Sequence, residues 1–236
     1  MSKSSKNLQK NLKKLVRTKS VIILLVILVV VLVVIYVRRP NKEQFYFEVT
    51  DNVLNKGCDG VKEGVFSFDR SDSLKKVTSI GEEAFMNCTS LTSINIPDSV
   101  TSIGRGVFVD CEGLTSITIP NSVTSIEDGA FFGCSGLTSI TIPNKVVKIN
   151  NGTFRECTGL TSIKIPNSVT SIGEGAFFGC SGLTSVTIGN SVTSIGVQAF
   201  TLCTGLTSVT IPDSVTSIGK AAFANCKSLT SVTIGN

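Results

Sequence analysis

Apolar residues recur along residues 74–236 with a period of 23. In the copy at residues 160–182, LTSIKIPNSVTSIGEGAFFGCSG, apolar side chains occupy positions 1, 4, 6, 10, 13, 18 and 21, and position 17 is small. A fixed period with apolar residues at constant positions predicts a solenoid, in which each copy is one coil stacked on its neighbours. A partial copy covers residues 74–90, six full copies begin at Leu91, Leu114, Leu137, Leu160, Leu183 and Leu206, and the last begins at Leu229 and reaches Asn236.

Each coil carries the signs of two short strands and a turn. Residues alternate between apolar and polar from Thr161 to Ile165 and again from Val169 to Ile172, which indicates two extended segments. The intervening Pro166 and Asn167 favour a chain reversal. The segment from Gly173 to Cys180 is too short for an independent helix, so it predicts one helical or 3₁₀ turn that buries its phenylalanine.

A second apolar pattern lies outside the repeats. Residues 21–37, VIILLVILVVVLVVIYV, are continuously apolar or aromatic, which is about the helical length needed to cross a bilayer core. This run predicts an uncleaved signal anchor. A cleavable signal peptide is the first alternative, but the run exceeds the usual length of one and has no small-x-small cleavage site after it. A buried core helix is the second alternative, although a solenoid offers no place for it.

The charges are distributed unevenly around this run. Residues 1–42 contain ten Lys or Arg and no acid, so the other residues hold twelve basic and seventeen acidic side chains. Seven of the ten cations precede the apolar run, which predicts a cytoplasmic N-terminus and extracellular or luminal repeats. The net charge of +5 therefore reflects a membrane-proximal tail and does not indicate binding of nucleic acid.

These patterns divide the chain into four segments. Residues 1–20 form a basic cytoplasmic tail, 21–37 a transmembrane helix in contact with the lipid bilayer, 38–73 a stalk and N-terminal cap, and 74–236 the solenoid. We expect the aromatic residues of the third segment to cover the open end of the first coil, since terminal repeats of a solenoid are atypical.

A cysteine stands at position 21 of seven successive coils. Their regular inward stacking favours buried free thiols that act as small hydrophobic groups. Disulfides between neighbouring coils and a metal site are the alternatives. Cys58, outside the series, is a candidate for a disulfide with Cys88 or with another chain. The seven residues are Cys88, Cys111, Cys134, Cys157, Cys180, Cys203 and Cys226.

The coil pattern L-x-x-I-x-I-P-x-x-V-x-x-I-x-x-x-A-F-x-x-C resembles the BspA-like leucine-rich repeat family over residues 74–236. The resemblance implies a leucine-rich-repeat solenoid with a parallel β-sheet of short strands joined by 3₁₀ or helical turns. It further implies exposure at the surface of bacteria or unicellular parasites, with adhesion to host proteins or other cells as a role of several members. Similar repeats also occur in large-virus genomes.

The residue types argue against an enzyme and against a bound cofactor or metal. The chain has no His, which removes Ser-His-Asp, Cys-His and His-metal chemistry. Two adjacent carboxylate pairs, Glu82-Glu83 and Glu127-Asp128, are expected to be solvated turn charges, because a catalytic carboxylate needs a cleft.

Outward positions 3 and 5 of the main strand are the candidate ligand surface, for a protein or a glycan. This surface is a lattice of hydroxyl groups with one amide and one ammonium group, and a plain solvated face is the alternative interpretation. Its residues are Ser93, Asn95, Ser116, Thr118, Ser139, Thr141, Ser162, Lys164, Ser185, Thr187, Ser208 and Thr210.

Two further features bear on function. Asn87 and Asn151 each begin a glycosylation sequon, which has meaning for repeats that reach a eukaryotic lumen or surface. The final copy lacks the apolar residues of positions 10, 13, 18 and 21, so the coil before it is uncovered and offers an edge for end-to-end association or docking. We therefore expect a membrane-anchored surface protein for adhesion or protein interaction, and as the alternative a structural subunit that stacks through this edge.

Overall fold

The computed structural model describes residues 46–59, 64–68 and 71–235. Within these ranges the chain forms a solenoid whose coils are joined by parallel strand pairing at a register of 23 residues, for example Ser162 with Ser185 and Ile172 with Ile195. No helix among them is long and apolar enough to cross a membrane. The predicted tail at 1–20 and the predicted transmembrane helix at 21–37 lie outside the described residues.

The coils form two rows of strands, as the alternating segments predict, although the coil at 137–159 contributes to only one of them. The main strand row contains residues of positions 3 to 6, and the side strand row contains positions 12 and 13. The main row consists of β3 (Gly64–Ser67), β5 (Leu91–Asn95), β7 (Ser116–Thr118), β10 (Ser162–Lys164), β12 (Ser185–Thr187), β14 (Ser208–Ile211) and β16 (Ser231–Ile234). The side row consists of β1 (Tyr46–Thr50), β2 (Val53–Asp59), β4 (Ser79–Ile80), β6 (Ser102–Ile103), β8 (Ser125–Ile126), β9 (Lys148–Ile149), β11 (Ser171–Ile172), β13 (Ser194–Ile195) and β15 (Ser217–Ile218).

The segment from position 14 to position 21, which we call the turn row, differs from its prediction. It forms no helical turn in the full coils, and the 3₁₀ helix of the described repeats lies instead at Leu74–Lys76. In the turn row, backbone N–H groups alternate between two acceptors. Those of Gly175 and Phe177 donate to carbonyls of the next coil, at 2.9 and 2.7 Å, whereas that of Phe178 donates three residues back, at 3.0 Å. The turn row is thus a third hydrogen-bonded ladder between coils.

Two left-handed backbone positions in each coil produce this alternation. Positions 16 and 20 have positive φ throughout, as at Gly175 with 55° and Gly179 with 72°. A residue in this conformation ends a helical turn and redirects the following N–H group. Because only glycine adopts it without steric cost, the coil at 183–205, with Gln198 (φ 54°) and Leu202 (φ 64°) at these positions, carries local strain.

The core contains the inward residues that the repeat pattern identifies. Leucines of position 1 and phenylalanines of position 18 are fully buried in the full coils from 91 to 205. The phenylalanine rings stack between successive coils with centroids 5.0 to 5.4 Å apart. At the N-terminal end, Phe66 meets Phe85 edge to face at 4.9 Å and also contacts Phe68, so aromatic side chains cover this end of the stack.

The N-terminal part, predicted as a stalk and cap, contains regular strands where it is described. Strand β1 pairs antiparallel with β2, and β2 continues the side row by pairing parallel with β4. Strand β3 begins the main row by pairing with β5. The side row therefore ends in an antiparallel hairpin, which gives this end of the solenoid a different edge from the parallel one.

Both strand rows are interrupted at the third full coil, residues 137–159. No strand forms at 137–144, and β8 and β9 belong to separate sheets. The side-chain amide of Asn150 donates to the carbonyl of Ile126 at 2.7 Å, in the place where Gly173 and its equivalents use their backbone N–H group. The turn row continues across this boundary, with Phe131 N–H donating to Thr153 at 2.8 Å. The turn-row ladder and the hydrophobic core thus connect the coils on the two sides of this interruption.

Candidate functional site

The structure places the predicted ligand surface on the outside of the main strand row. Within the described residues all twelve side chains are exposed apart from Ser93, which is half-buried. The alternate residues of the same strands, such as Ile163 and Ile165, are buried. The burial pattern of a pleated strand therefore brings the twelve onto one face of the solenoid. Ser139 and Thr141 belong to this face but lie in the stretch that forms no strand.

Hydroxyl groups of the repeats fall into two classes. Threonines at position 2 donate to the backbone of the preceding coil, as Thr184 Oγ1 does to the Thr161 carbonyl at 3.0 Å, and position 11 behaves alike at Thr193. The side-chain hydroxyls of serines and threonines at positions 3 and 5, such as Ser185 and Thr187, make no hydrogen bond within the described part of the chain. The hydroxyls of the candidate surface are thus available to a ligand, whereas those beside it maintain the stacking.

Two grooves run along one margin of this surface. One, of about 770 Å³, passes Thr187, Thr210, Asn190 and Asp213, and the other, of about 630 Å³, passes Thr118 and the equivalent polar residues near the N-terminal end. Each groove lies between the outward residue at position 5 and the Asn or Asp at position 8. Part of this margin supports the stacking, since Asn167 Oδ1 accepts the N–H of Asn190 at 2.9 Å. Hydroxyl, amide and carboxylate groups along a shallow groove suit polar ligands.

The cysteine series is structural. Cys111, Cys134, Cys157, Cys180 and Cys203 are free and buried, and Cys226 is free and half-buried, so the interpretation as inward thiols is correct for these six. Cys88 is disulfide-bonded, and the side chain of Cys58, its suggested partner, lies outside the described residues. No group of three metal-binding side chains is present among the described residues.

Each buried thiol also has a hydrogen-bond partner that the sequence did not reveal. The Sγ of Cys157 lies 3.1 Å from the Phe131 carbonyl, and the same contact recurs along the series. Burial raises the pKa of Cys111 and of Cys180 to about 12, from an ordinary value of 9.0. Thiols this resistant to ionisation are poor nucleophiles and poor metal ligands.

The other predicted positions lie on the turn row or beside it. The carboxylate pairs Glu82-Glu83 and Glu127-Asp128 are exposed, and Asp128 Oδ1 accepts the N–H of Asn151. Both sequon asparagines are exposed. Asn87 has a left-handed backbone, whereas the Asn151 side chain accepts the N–H of Glu174 at 2.9 Å and so takes part in the coil stacking.

Comparison with known families places these features in context. The family model described as BspA type leucine rich repeat region (6 copies) matches residues 63–181 and 126–236. The chain belongs to the BspA-type leucine-rich-repeat family. No curated protein matches the chain. The family assignment agrees with the 23-residue register of both strand rows and with the inward Leu, Ile, Val, Phe and Cys.

Two solved structures share the fold of this BspA-type chain. A leucine-rich cell surface protein from Faecalibacterium prausnitzii A2-165 is 32% identical with a TM-score of 0.67, over 84% of this chain and 55% of that one. A leucine-rich-repeat protein from T. pallidum is 28% identical with a TM-score of 0.68, over 82% and 91%. This chain thus spans about half the length of the first of these relatives.

Proposed function

We propose that this protein is a membrane-anchored surface protein that presents its repeats for adhesion or protein interaction through the main-row face. Residues 21–37 serve as a signal anchor, the N-terminus is cytoplasmic, and the repeats are extracellular or luminal. The anchor and the charge asymmetry of the sequence support this topology. Similarity to a bacterial leucine-rich cell surface protein supports a role in protein interaction, and solenoids commonly bind through an extended sheet face.

The observation that carries the proposal is the division between engaged and unengaged hydroxyl groups. Maintaining the stack requires the threonines of positions 2 and 11, yet the chain also keeps a hydroxyl at nearly every outward position 3 and 5. Unengaged hydroxyls at strand spacing, beside shallow polar grooves, present a regular set of donors and acceptors to a protein strand or a glycan. We propose no cofactor and no catalytic role for this face.

The binding proposal is tested with two matched lysine variants of the full-length chain in lipid nanodiscs. Lys164 lies on the main-row face and Lys145 is an exposed lysine outside it. On arrays of extracellular-matrix proteins and glycans, Lys164→Glu should lower binding severalfold, because it places a carboxylate in the middle of the face, while Lys145→Glu should bind as the natural chain does. Equal effects of the two changes would contradict the assignment of this face.

The topology is tested separately on intact cells that express the chain. External protease should remove residues 74–236 and leave residues 1–20 protected. Protection of the repeats together with cleavage of the tail would show the opposite orientation.

Apolar side chains that are exposed on the last described coils favour a second candidate function, assembly with another copy of the chain. The exposed fractions of Ile218, Val232 and Ile234 are 46, 49 and 66%. The equivalent residues 23 positions earlier, Ile195, Val209 and Ile211, are buried. Because β1 gives the opposite end an antiparallel edge, we propose that two copies meet through these apolar edges as a closed dimer and do not form a filament. Size-exclusion chromatography with light scattering distinguishes these forms. A dimer that Val232→Lys converts to monomer supports the proposal, and a monomer at high concentration overturns it.

A further inference from the structure

A second surface lies on the turn row, away from the main-row face. In the coils up to residue 182, position 19 points outward next to the buried phenylalanine of position 18, and from coil to coil it forms a partly exposed stripe. The stripe is apolar except for one guanidinium group. Its residues are Met86, Val109, Phe132, Arg155 and Phe178, and we call them the turn stripe.

Glycines leave the two aromatic rings of the turn stripe uncovered. Gly129 and Gly133 flank Phe132, and Gly175 and Gly179 flank Phe178, in every case at the left-handed positions 16 and 20. Neither flank has a side chain to shield the ring. Phe132 and Phe178 therefore remain half-exposed, although burial of such side chains is strongly favourable.

Arg155 shows how this stripe holds a cation. Its guanidinium carbon lies 4.3 Å from the ring centroid of Phe178 and 5.9 Å from that of Phe132, within cation–π range of both. Its Nε donates to Glu156 Oε1 at 3.3 Å. The terminal nitrogens of Arg155 have no hydrogen-bond partner within the described residues. The space between the rings of Phe132 and Phe178, with the Glu156 carboxylate beside it, thus accommodates a planar cation.

The other face of the Phe178 ring, towards the next coil, has no cation of this chain stacked on it within the described residues. There position 19 is Thr201, a small and buried residue, so this position places no large side chain beside the face of Phe178 that Arg155 does not cover. Glu174, on the same coil as Phe178, is exposed and forms no ion pair within the described part of the chain. An aromatic ring and a carboxylate therefore lie four residues apart on this coil.

The charges along the stripe indicate which partner fits. Positions 15, 16 and 20 between residues 82 and 179 carry six carboxylates, and positions 15 and 19 carry only two guanidinium groups. Both arginines already have a carboxylate neighbour, Arg105 with Glu82 at 4.0 Å and Arg155 with Glu156. The margin is therefore negative overall, which attracts a cationic ligand and repels an anionic one.

We propose that the turn stripe docks an arginine-rich segment of another protein, whose guanidinium groups stack on Phe178 and Phe132 as Arg155 does. Arginine is preferred over lysine because its planar, weakly hydrated group stacks on aromatic faces while it also bonds to carboxylates. The surface is distinct from the main-row face, so the inference does not rest on the function proposed for that face.

Fluorescence anisotropy on the full-length chain in neutral detergent tests this proposal, with labelled nona-arginine and nona-lysine peptides of equal charge as probes. We expect the arginine peptide to bind on the order of fivefold more tightly than the lysine peptide. Phe178→Leu should reduce that preference, the double variant Phe132→Leu and Phe178→Leu should remove it, and Phe178→Tyr should retain it. Val147→Ala, a change at an apolar residue that is 58% exposed outside the stripe, serves as the matched control and should leave it unchanged.

The charge contribution has its own variant. Changing Asp128→Asn together with Glu174→Gln should weaken both peptides and reduce the salt dependence of binding. Equal affinity of the two peptides for the natural chain would overturn the proposal, as would an arginine preference that survives the double variant Phe132→Leu and Phe178→Leu. If Phe178→Leu lowers the melting temperature so far that the fold is lost, Phe132→Leu provides the same comparison at the other ring.

Discussion

The thiol of Cys157 donates a hydrogen bond to the backbone carbonyl of Phe131, with 3.1 Å between sulfur and oxygen, across the boundary of two coils. The same carbonyl accepts the N–H of Cys134 at 3.2 Å. A cysteine of one coil therefore completes the hydrogen bonding of a buried carbonyl in the coil before it, while its sulfur fills core volume. This pairing explains why a weakly polar residue suits position 21 better than a purely apolar one.

Two substitutions of Cys157 separate its hydrogen bond to Phe131 from its packing in the core. We expect Cys157→Ala to lower the free energy of unfolding by about 1–2 kcal/mol, because it leaves a small cavity and removes one donor. Cys157→Ser keeps a donor and should be no more destabilising than the alanine variant. Urea denaturation followed by circular dichroism measures both. A serine variant clearly less stable than the alanine variant would show that apolar packing alone matters at this position.

The raised thiol pKa values give a prediction for alkaline pH. The folded pKa of Cys111 and of Cys180 is about 12 against an ordinary 9.0. Their contribution to stability is therefore complete below pH 9 and is lost as the pH rises from 9 towards 12, at about 1.4 kcal/mol per pH unit for each thiol. Urea midpoints measured at several pH values should fall over this window, and less steeply in the double variant Cys111→Val and Cys180→Val. An identical pH dependence of the two proteins would contradict the assignment.

The left-handed positions predict a stabilising substitution. Gln198 holds a φ of 54° at a position where four other coils have glycine. Gln198→Gly should raise the free energy of unfolding by about 1 kcal/mol, since the strain of a left-handed side chain is relieved. Gly175→Ala, at the equivalent position with φ 55°, should lower it by a similar amount. Thermal melting of the two variants should thus shift in opposite directions.

The interrupted third coil predicts a site of local opening. Asn150→Ala removes the amide that satisfies the Ile126 carbonyl and should cost about 1–2 kcal/mol. Asn150→Gly introduces the residue found in the coils whose ladder is continuous, so it should be more stable than the alanine variant. Hydrogen exchange should show faster exchange at residues 137–144 than at 160–166 in the natural chain. Uniform protection of the two segments would show that the interruption has no energetic effect.

Much of the fold follows from the repeat alone. A period of 23 places equivalent residues of neighbouring coils side by side, so the inward Leu160, Ile163 and Phe177 and the outward Ser162 and Lys164 are assigned correctly from alternation and burial preference. The physical reason is that a solenoid extends in one dimension, and each coil has the same two neighbours. The outward hydroxyl face is identified for the same reason, whereas its ligand stays a proposal.

The turn row depends on tertiary structure. Its short apolar pattern suggests a helical turn, but stacking offers each N–H group an acceptor in the next coil, and the left-handed backbone at Gly175 and Gly179 directs alternate groups there. The meeting of Arg155 with Phe132 and Phe178, and the bond of Asn150 to Ile126, likewise arise from contacts between coils. The repeat pattern defines the period, the core and the outward surface. The backbone groups, thiols and side chains that bridge one coil to the next become visible only in the stacked coils, because each of these contacts depends on the position of the neighbouring coil.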